Sequence, residues 1–137
     1  MDKKPIGLTK MSGFEFGLRK TLPVSVDLAW QFLTSPAGIR IWLGESRDFA
    51  LLKGAVYHTV DGASGIVRVV NPEDNLRLTW QPLDWTKPST IQVRVIPAGD
   101  KTTISFHQEN LPDAESREMM RQRWEEIMAK IEKELNV

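Results

Sequence analysis

Hydrophobic and polar positions alternate with period two over residues 14–19, a pattern that predicts a half-buried strand. Between residues 48 and 108, short apolar stretches of the same kind are separated by turn signals, of which Asp61-Gly62 and residues 97–100 are clear examples. We predict about six strands in this region, joined as an antiparallel meander. Five of them can be bounded: Ala55–Val60, Ile66–Val70, Leu76–Trp80, Ile91–Ile96 and Thr103–Gln108.

Helical spacing of apolar residues replaces this alternation in three places. Ser25 is a suitable N-cap for a first short helix, and Ser35-Pro36 starts a second one that can end at Gly44. Asp113 can cap a long C-terminal helix that extends to residue 135. One continuous apolar stripe runs along this last helix: Met120, Trp124, Ile127, Met128, Ile131 and Leu135.

The order of these elements predicts an α+β fold in which one long helix covers one face of a single sheet. Because the helix stripe is narrower than the face of a curved sheet, we expect a cavity between the two. The connection from Gln81 to Ser89 is long for a meander and carries Leu83 and Trp85. These two apolar side chains either fold back onto the core or line an opening.

Composition and charge narrow the classes of function. The 137 residues include 18 Lys and Arg and 18 Asp and Glu, so the formal net charge is zero, and we expect neither nucleic acid nor a membrane surface as partner. Cysteine is absent, which excludes disulfides, thiol nucleophiles and Cys-based metal sites. No apolar stretch has the length of a signal peptide or a membrane span. We expect one cytoplasmic domain over residues 1–137, with residues 1–13 as a loose N-terminal arm.

Several local motifs follow one another in a fixed order over residues 14–135. They are the segment Trp30–Pro36, then Trp42-Leu43-Gly44, then Gly65 with Pro72, Leu76, Thr79 and Trp80, and finally Asn110-Leu111-Pro112 ahead of the helix that holds Trp124. In this order the motifs resemble the START-like, birch-pollen-allergen-like superfamily (SRPBCC). Within it, the chain is similar to the bacterial homologues of the activator of heat-shock protein 90 ATPase. Two positions depart from the family pattern: Val24-Ser25 stands where Ala-Pro is common, and Arg123 stands where Gly often precedes the helix tryptophan.

The resemblance implies a helix-grip fold, with a curved seven-stranded antiparallel sheet around the C-terminal helix and two short helices after the first strand. It also implies a hydrophobic cavity that in various relatives holds lipids, polyketides, flavonoid-like compounds or hormones. Some relatives are cyclases or hydrolases, yet the family shares no universal catalytic residue.

Candidate catalytic and metal-binding residues are sparse. Neither of the two histidines is clustered with carboxylates in the pattern that a metal site requires, so we expect no metal and no other cofactor. A zinc or iron site would need Asp and Glu side chains from distant strands. No serine lies in a Gly-x-Ser-x-Gly elbow, and no glycine pair stands between a strand and a helix as a phosphate loop would require. The carboxylate pairs Asp113 with Glu115 and Glu125 with Glu126 fit a solvated or helix-dipole role. We therefore assign no catalytic residue.

Candidate ligand-lining residues follow from strand alternation and from the helix stripe: Trp42, Val56, Leu78, Trp80, Val93, Phe106, Met120, Trp124 and Ile127. A hairpin turn over residues 61–65 would pair His58 with Arg68 on one shared face. If that face points inward, the two side chains mark a polar end of the cavity, where Arg68 can donate to an acidic ligand. If it points outward, they form a solvated surface contact. The pattern leaves both possibilities open.

The sequence thus favours binding of a small hydrophobic molecule, such as a lipid, polyketide or flavonoid-like compound, in a cavity between the sheet and the C-terminal helix. Two alternatives remain: a co-chaperone-like module that contacts a chaperone ATPase, and a cyclase or hydrolase that uses the same cavity. A binding protein is favoured over an enzyme because no acid–base pair facing the cavity can be identified. We expect a monomer or a weak homodimer.

Overall fold

A seven-stranded antiparallel sheet forms the framework of the computed structural model, which describes residues 8–9 and 13–135. Five strands form a meander in which each strand pairs with the next: β3 (Val56–His58), β4 (Ser64–Asn71), β5 (Asn75–Trp80), β6 (Ser89–Ala98) and β7 (Lys101–Leu111). Two N-terminal strands, β1 (Leu8–Thr9) and β2 (Gly13–Leu22), extend the sheet beyond β7. The order across the sheet is therefore β1-β2-β7-β6-β5-β4-β3.

Three helices complete the fold: α1 (Val26–Thr34), α2 (Pro36–Trp42) and α3 (Ala114–Leu135). The side chains of Ser25, Ser35 and Asp113 each accept a backbone amide proton of the helix that follows, at donor–acceptor distances of 2.7–3.1 Å. The three predicted N-caps are therefore confirmed, and so is the α+β arrangement with a long C-terminal helix. No described helix combines the length and the apolarity needed to span a bilayer.

The seventh strand lies at the N-terminal edge of the sheet. Leu8 pairs with Phe14, so part of the segment predicted as a loose arm belongs to the sheet. The rest of that arm, residues 1–7 and 10–12, lies outside the described residues. Between α2 and β3 the chain forms one isolated bridge, Ser46 with Thr59. The meander therefore has five strands where about six were predicted.

Strand alternation directs one apolar face of the sheet toward α3. The buried strand residues on this face include Leu76, Leu78, Trp80, Ile91, Val93, Val95, Ile104 and Phe106. All six residues of the predicted helix stripe, from Met120 to Leu135, are buried against them. The prediction of one continuous gripping helix is therefore confirmed.

Two glycines allow close approaches between neighbouring elements. A Cβ atom on Gly38 would lie 1.9 Å from the carbonyl oxygen of Phe32, so only glycine permits the tight junction of α1 and α2. A Cβ atom on Gly65 would lie 1.8 Å from the carbonyl oxygen of Thr79. The Thr79 hydroxyl oxygen in turn accepts from the amide of Ile66 at 2.8 Å. The Gly65 and Thr79 motif therefore holds β4 unusually close to β5.

The β3–β4 hairpin turns earlier than predicted. The amide of Thr59 donates to the carbonyl of Ala63 at 2.8 Å, which closes the turn before residue 64. His58 consequently pairs with Ser64. Arg68 stands further along β4, at a register shift in its pairing with β5 that is typical of a β-bulge. The predicted pairing of His58 with Arg68 is therefore wrong.

The structure also decides which face of this hairpin points inward. Tyr57 and Val67 are fully buried. Val56, His58 and Arg68 lie on the solvent side, and Val56 is 54% exposed. These three predicted lining residues therefore do not reach the space between the sheet and α3, since the alternation of β3 and β4 turns them away from it.

Candidate functional site

The other predicted lining residues meet in the core between the sheet and α3. All of them are buried: Trp42, Leu78, Trp80, Val93, Phe106, Met120, Trp124 and Ile127. Phe106 and Trp124 stack with ring centroids 4.6 Å apart and an interplanar angle of 22°. The middle of the interior, where the cavity was expected, is thus occupied by aromatic side chains.

A chain of hydrogen bonds crosses this interior from α3 to the sheet. The indole nitrogen of Trp124 donates to Gln108 Oε1 at 2.8 Å, and Gln108 Nε2 donates to Ser89 Oγ at 2.9 Å. The Ser89 hydroxyl donates to the carbonyl of Trp80 at 2.7 Å. Within the described residues no buried side-chain nitrogen or oxygen lacks a partner. The buried polar side chains of the interior therefore hydrogen-bond to one another or to the backbone, and none of them needs a ligand as its hydrogen-bond partner.

An open cleft lies at one end of α3 instead. It has a volume of about 530 Å³, within the range of small-molecule sites. The loop over residues 81–88, the β3–β4 turn and the first half of α3 form its walls. Of the predicted lining residues, only Trp80 and Met120 face it.

Two tryptophans form the aromatic wall of the cleft. The rings of Trp80 and Trp85 meet edge to face, with centroids 5.4 Å apart and an interplanar angle of 87°. Gln81 Nε2 donates to the carbonyl of Trp85 at 2.7 Å, which fixes the loop that carries this ring. Trp85 packs against the edge of the core and also lines the opening, so it combines the two positions predicted for apolar loop residues. Leu83, in contrast, is 85% exposed.

The helical wall of the cleft is a stripe at spacing i, i+3, i+4 and i+7, formed by Ser116, Met119, Met120 and Arg123. Met119 is 59% exposed, and its flexible thioether can adapt to differently shaped ligands. This stripe runs beside the core stripe of α3. It combines apolar and polar side chains, so a search for purely apolar positions misses it.

Arg123 is the positive group of the cleft. Its guanidinium carbon lies 5.2 Å from the ring centroid of Trp80, a cation–π contact, and its Nη2 reaches the carbonyl of Leu43 at 3.4 Å. Burial lowers the pKa of Arg123, while the charge of Asp61 acts in the opposite direction. The guanidinium nevertheless remains charged at any physiological pH. Arg123 thus presents a partly desolvated cation beside an aromatic ring.

Four carboxylates line the same cleft: Asp61, Asp84, Asp113 and Glu115. Asp113 caps α3, and the hydrogen bond from the backbone amide of Ser116 lowers the pKa of its carboxyl group. The rim therefore carries more negative than positive charge, although Arg123 is the group placed against the aromatic wall.

The two histidines lie outside the cleft. His58 Nδ1 is 2.9 Å from Asp48 Oδ2, and hydrogen bonds from the His58 side chain and backbone lower the pKa of Asp48 to about 2. His107 lies on the outer face of the sheet, where its Nε2 is 3.5 Å from Glu15 Oε1 and Glu109 is close by. The expectation that neither histidine is clustered with carboxylates is therefore wrong for His107.

Sequence reasoning missed Arg123 as a site residue. In the sequence, this position stands out only because an arginine replaces the glycine that is common there in the family that the chain resembles. Helical spacing could have identified it. Arg123 follows Met119 by four residues and Met120 by three, which places all three side chains on one side of the helix.

Comparison with known proteins agrees with this architecture. The family profile described as Activator of Hsp90 ATPase homolog 1-like protein matches residues 23–136. No curated protein matches the chain.

Solved structures show the same fold at low sequence identity. The DynU16 protein of the dynemicin biosynthetic locus matches with a TM-score of 0.78 and 18% identity over 90% of this chain, which spans 47% of that protein's length. An HSP90 activator from Plasmodium falciparum matches with a TM-score of 0.74 and 17% identity, over 88% of this chain and 95% of its own. Aha1 from Colwellia psychrerythraea, solved as a dimer, matches with a TM-score of 0.75 and 14% identity, over 90% of this chain and 96% of its own. Since the family profile covers most of the sequence, this chain belongs to the Activator of Hsp90 ATPase homolog 1-like family.

Proposed function

We propose that this protein binds a small, largely apolar molecule in the cleft between loop 81–88 and α3, and that Arg123 recognises an acceptor oxygen of that molecule. The observation that carries the proposal is the placement of the Arg123 guanidinium over Trp80 inside a cleft of about 530 Å³. The proposed function is the one expected from the sequence, but the proposed site differs. It is the cleft at the start of α3, not a cavity enclosed between the sheet and the middle of that helix.

The walls of the cleft fit a flat or acyl-chain ligand. Trp80 and Trp85 supply rigid apolar surface, and Met119 and Met120 supply adaptable surface opposite them. A carboxylate, phenolate or carbonyl oxygen that reaches Arg123 would form a charge-assisted hydrogen bond in a partly desolvated place, where such bonds are strong.

The acidic rim limits how much negative charge a ligand can carry. A single cation, Arg123, stands among four carboxylates, so a polyanion such as a nucleoside triphosphate would meet net repulsion. We therefore expect ligands with at most one acidic group. A cytoplasmic location and a monomeric or weakly dimeric state are parts of the same proposal.

Ligand titration tests the proposal. Flavonoids, fatty acids and polyketides, each paired with a neutral analogue of matched shape, should quench tryptophan emission at roughly micromolar affinity. Arg123→Gln should weaken the acidic ligands about tenfold to a hundredfold and leave their neutral analogues nearly unchanged, because a charged hydrogen bond is lost.

Arg121→Gln is the matched control for this test. Arg121 lies on the same helix, but it pairs with Glu118 and Glu125 on the exposed surface, so its loss should not alter binding. Arg68→Gln should also be silent, since Arg68 is exposed on the hairpin. If Arg123→Gln and Arg121→Gln affect acidic ligands equally, or if no compound changes tryptophan emission, the proposal is refuted.

A second candidate is the co-chaperone-like module, and family membership is the observation that favours it. Two proteins of the same fold are described as an HSP90 activator and as Aha1. If this chain has that function, its addition to a heat-shock protein 90 of its own organism should increase the rate of ATP hydrolysis. If the rate of ATP hydrolysis is unchanged while a small ligand binds the cleft, the co-chaperone candidate is rejected and the ligand-binding proposal stands.

A further inference from the structure

His107 and two carboxylates meet on the face of the sheet that points away from α3. His107 and Glu109 are two residues apart on β7 and share that face, because the residue between them, Gln108, is directed into the core. Glu15 comes from the neighbouring strand β2. One ligand atom from each of the three side chains lies within 4.8 Å of the other two, and His107 Nε2 is 3.5 Å from Glu15 Oε1.

An irregularity in strand pairing brings these residues together. Phe16 pairs with Gln108, but Phe14 pairs with Leu111, so β7 has one more residue than β2 at this point. Asn110 takes up the extra length with a positive φ of 63°. Such bulges commonly re-aim the side chains next to them.

Helix α3 holds the bulge in place. Arg117 Nε donates to the backbone carbonyl of Glu15 at 2.7 Å, while its guanidinium lies over the Phe16 ring at 5.4 Å. The contact is made to the backbone of Glu15, which leaves its carboxylate directed to the cluster. The position of Glu15 is therefore fixed by packing and does not depend on a flexible loop.

The cluster is electrostatically unbalanced. Glu15 and Glu109 place two half-buried carboxylates on adjacent strands, where like charges repel. Within residues 13–135, no Lys or Arg lies within 4.0 Å of either carboxylate as an ion-pair partner, and only His107 makes such a contact, with Glu15. A bound cation would relieve this repulsion.

We propose that Glu15, His107 and Glu109 form a binding site for a divalent transition-metal ion of the Zn²⁺ type. One imidazole nitrogen and two carboxylate oxygens suit such ions, whereas Mg²⁺ and Ca²⁺ prefer oxygen ligands alone. Zinc bonds of about 2.0–2.2 Å place neighbouring ligand atoms close to the separation already present between His107 and Glu15. The Glu109 ligand atom, within 4.8 Å of the other two, would have to move closer to bind the same ion. Three protein ligands leave a fourth position of a tetrahedral ion open to water.

Glu15, His107 and Glu109 do not line the cleft, so metal binding here does not depend on a ligand bound there. It can be tested with untagged protein, freed of metal by a chelator and titrated calorimetrically with ZnCl₂ alone. We expect one equivalent to bind, the thermal midpoint to rise with zinc concentration, and the ring signals of His107 to shift in NMR spectra.

His58 provides the matched control, because it is the other histidine of the chain and contacts a single carboxylate, Asp48. His107→Asn and Glu109→Gln should each weaken Zn²⁺ binding by more than the roughly tenfold to hundredfold loss typical of outer-shell changes, while His58→Asn should keep the wild-type affinity.

Three results would overturn the site. They are equal losses in His107→Asn and His58→Asn, zinc binding that leaves the His107 signals unmoved, and Mg²⁺ binding as tight as that of Zn²⁺. Thermal midpoints measured without metal show whether a variant is folded. If His107→Asn does not fold, the His107 signals of the wild-type protein decide the question.

Discussion

The hydrogen-bonded chain from Trp124 to Ser89 offers a sharp test of how the interior is built. Trp124 is 1% exposed and Gln108 is fully buried, so neither can exchange its partner for water. Trp124→Phe keeps a ring against Phe106 but removes the indole N–H and leaves Gln108 Oε1 without its donor. The loss of packing and the orphaned acceptor together should cost about 2–4 kcal/mol of unfolding free energy.

Gln108→Leu removes the partner from the opposite side. It leaves the buried indole N–H of Trp124 unpaired, for which we expect a cost of about 1–3 kcal/mol. The double variant, Trp124→Phe with Gln108→Leu, removes donor and acceptor together. Its cost should therefore fall below the sum of the two single variants by at least about 1 kcal/mol.

Urea unfolding followed by far-UV circular dichroism is the suitable assay, because tryptophan emission changes when Trp124 is replaced. The denaturant slope of the variants should equal that of the wild-type protein, so that midpoints report stability directly. If the two substitutions add within about 0.5 kcal/mol, the indole and the amide do not depend on each other. The conclusion that the interior satisfies its own polar groups would then be refuted.

Two further outcomes follow from the fold. Gly65→Ala should lower the free energy of unfolding, measured in urea, by about 3 kcal/mol or more, because its Cβ atom would lie 1.8 Å from the Thr79 carbonyl oxygen. Gly99→Ala is the control: Gly99 has a φ of +66° but open space around it, so the loss should be only about 1 kcal/mol. Similar losses in the two variants would contradict the close approach at Gly65. The folded-state pKa of Asp48 is lowered from 3.8 to about 2 by His58, so its stabilising effect is complete above the ordinary value and is lost as pH falls through about 2. The stability curves of the wild-type protein and Asp48→Asn should therefore converge as pH falls between these values, and a constant difference would contradict this reasoning.

Local signals made most of the fold predictable. The N-caps Ser25, Ser35 and Asp113 and the stripe of α3 depend on residues a few positions apart, so the sequence reports them directly. The hairpin register depended on where the turn closes. The hydroxyl oxygen of Thr59 accepts from the amide of Ala63 at 3.0 Å and helps to close the turn. The turn is therefore tighter than the one predicted over residues 61–65.

The candidate site was less predictable, because it depends on how side-chain volumes fill the interior and on contacts between elements that are far apart in the sequence. Strand alternation identified Phe106 as an inward residue and the helix stripe identified Trp124, but neither pattern could show that their stacked rings fill the space between the sheet and α3. They likewise could not place Arg123 over Trp80, since the two belong to elements far apart in the sequence. The contact of Glu15 with His107 arises from a bulge between the first long strand and the last, which no local pattern announces.

The pairing of β2 with β7 has a consequence for synthesis on the ribosome. Thr21 and Thr103, whose hydroxyl oxygens are 2.7 Å apart, are separated by 82 residues, so the N-terminal strand emerges long before its partner exists. Until β7 has been made, the edge of β2 remains unpaired and open to association with other nascent chains. Folding must then close a very long loop, which makes this step slow relative to hairpin formation in the meander. We expect the hairpins of the meander to form first and β2 to join the sheet once β7 has left the ribosome.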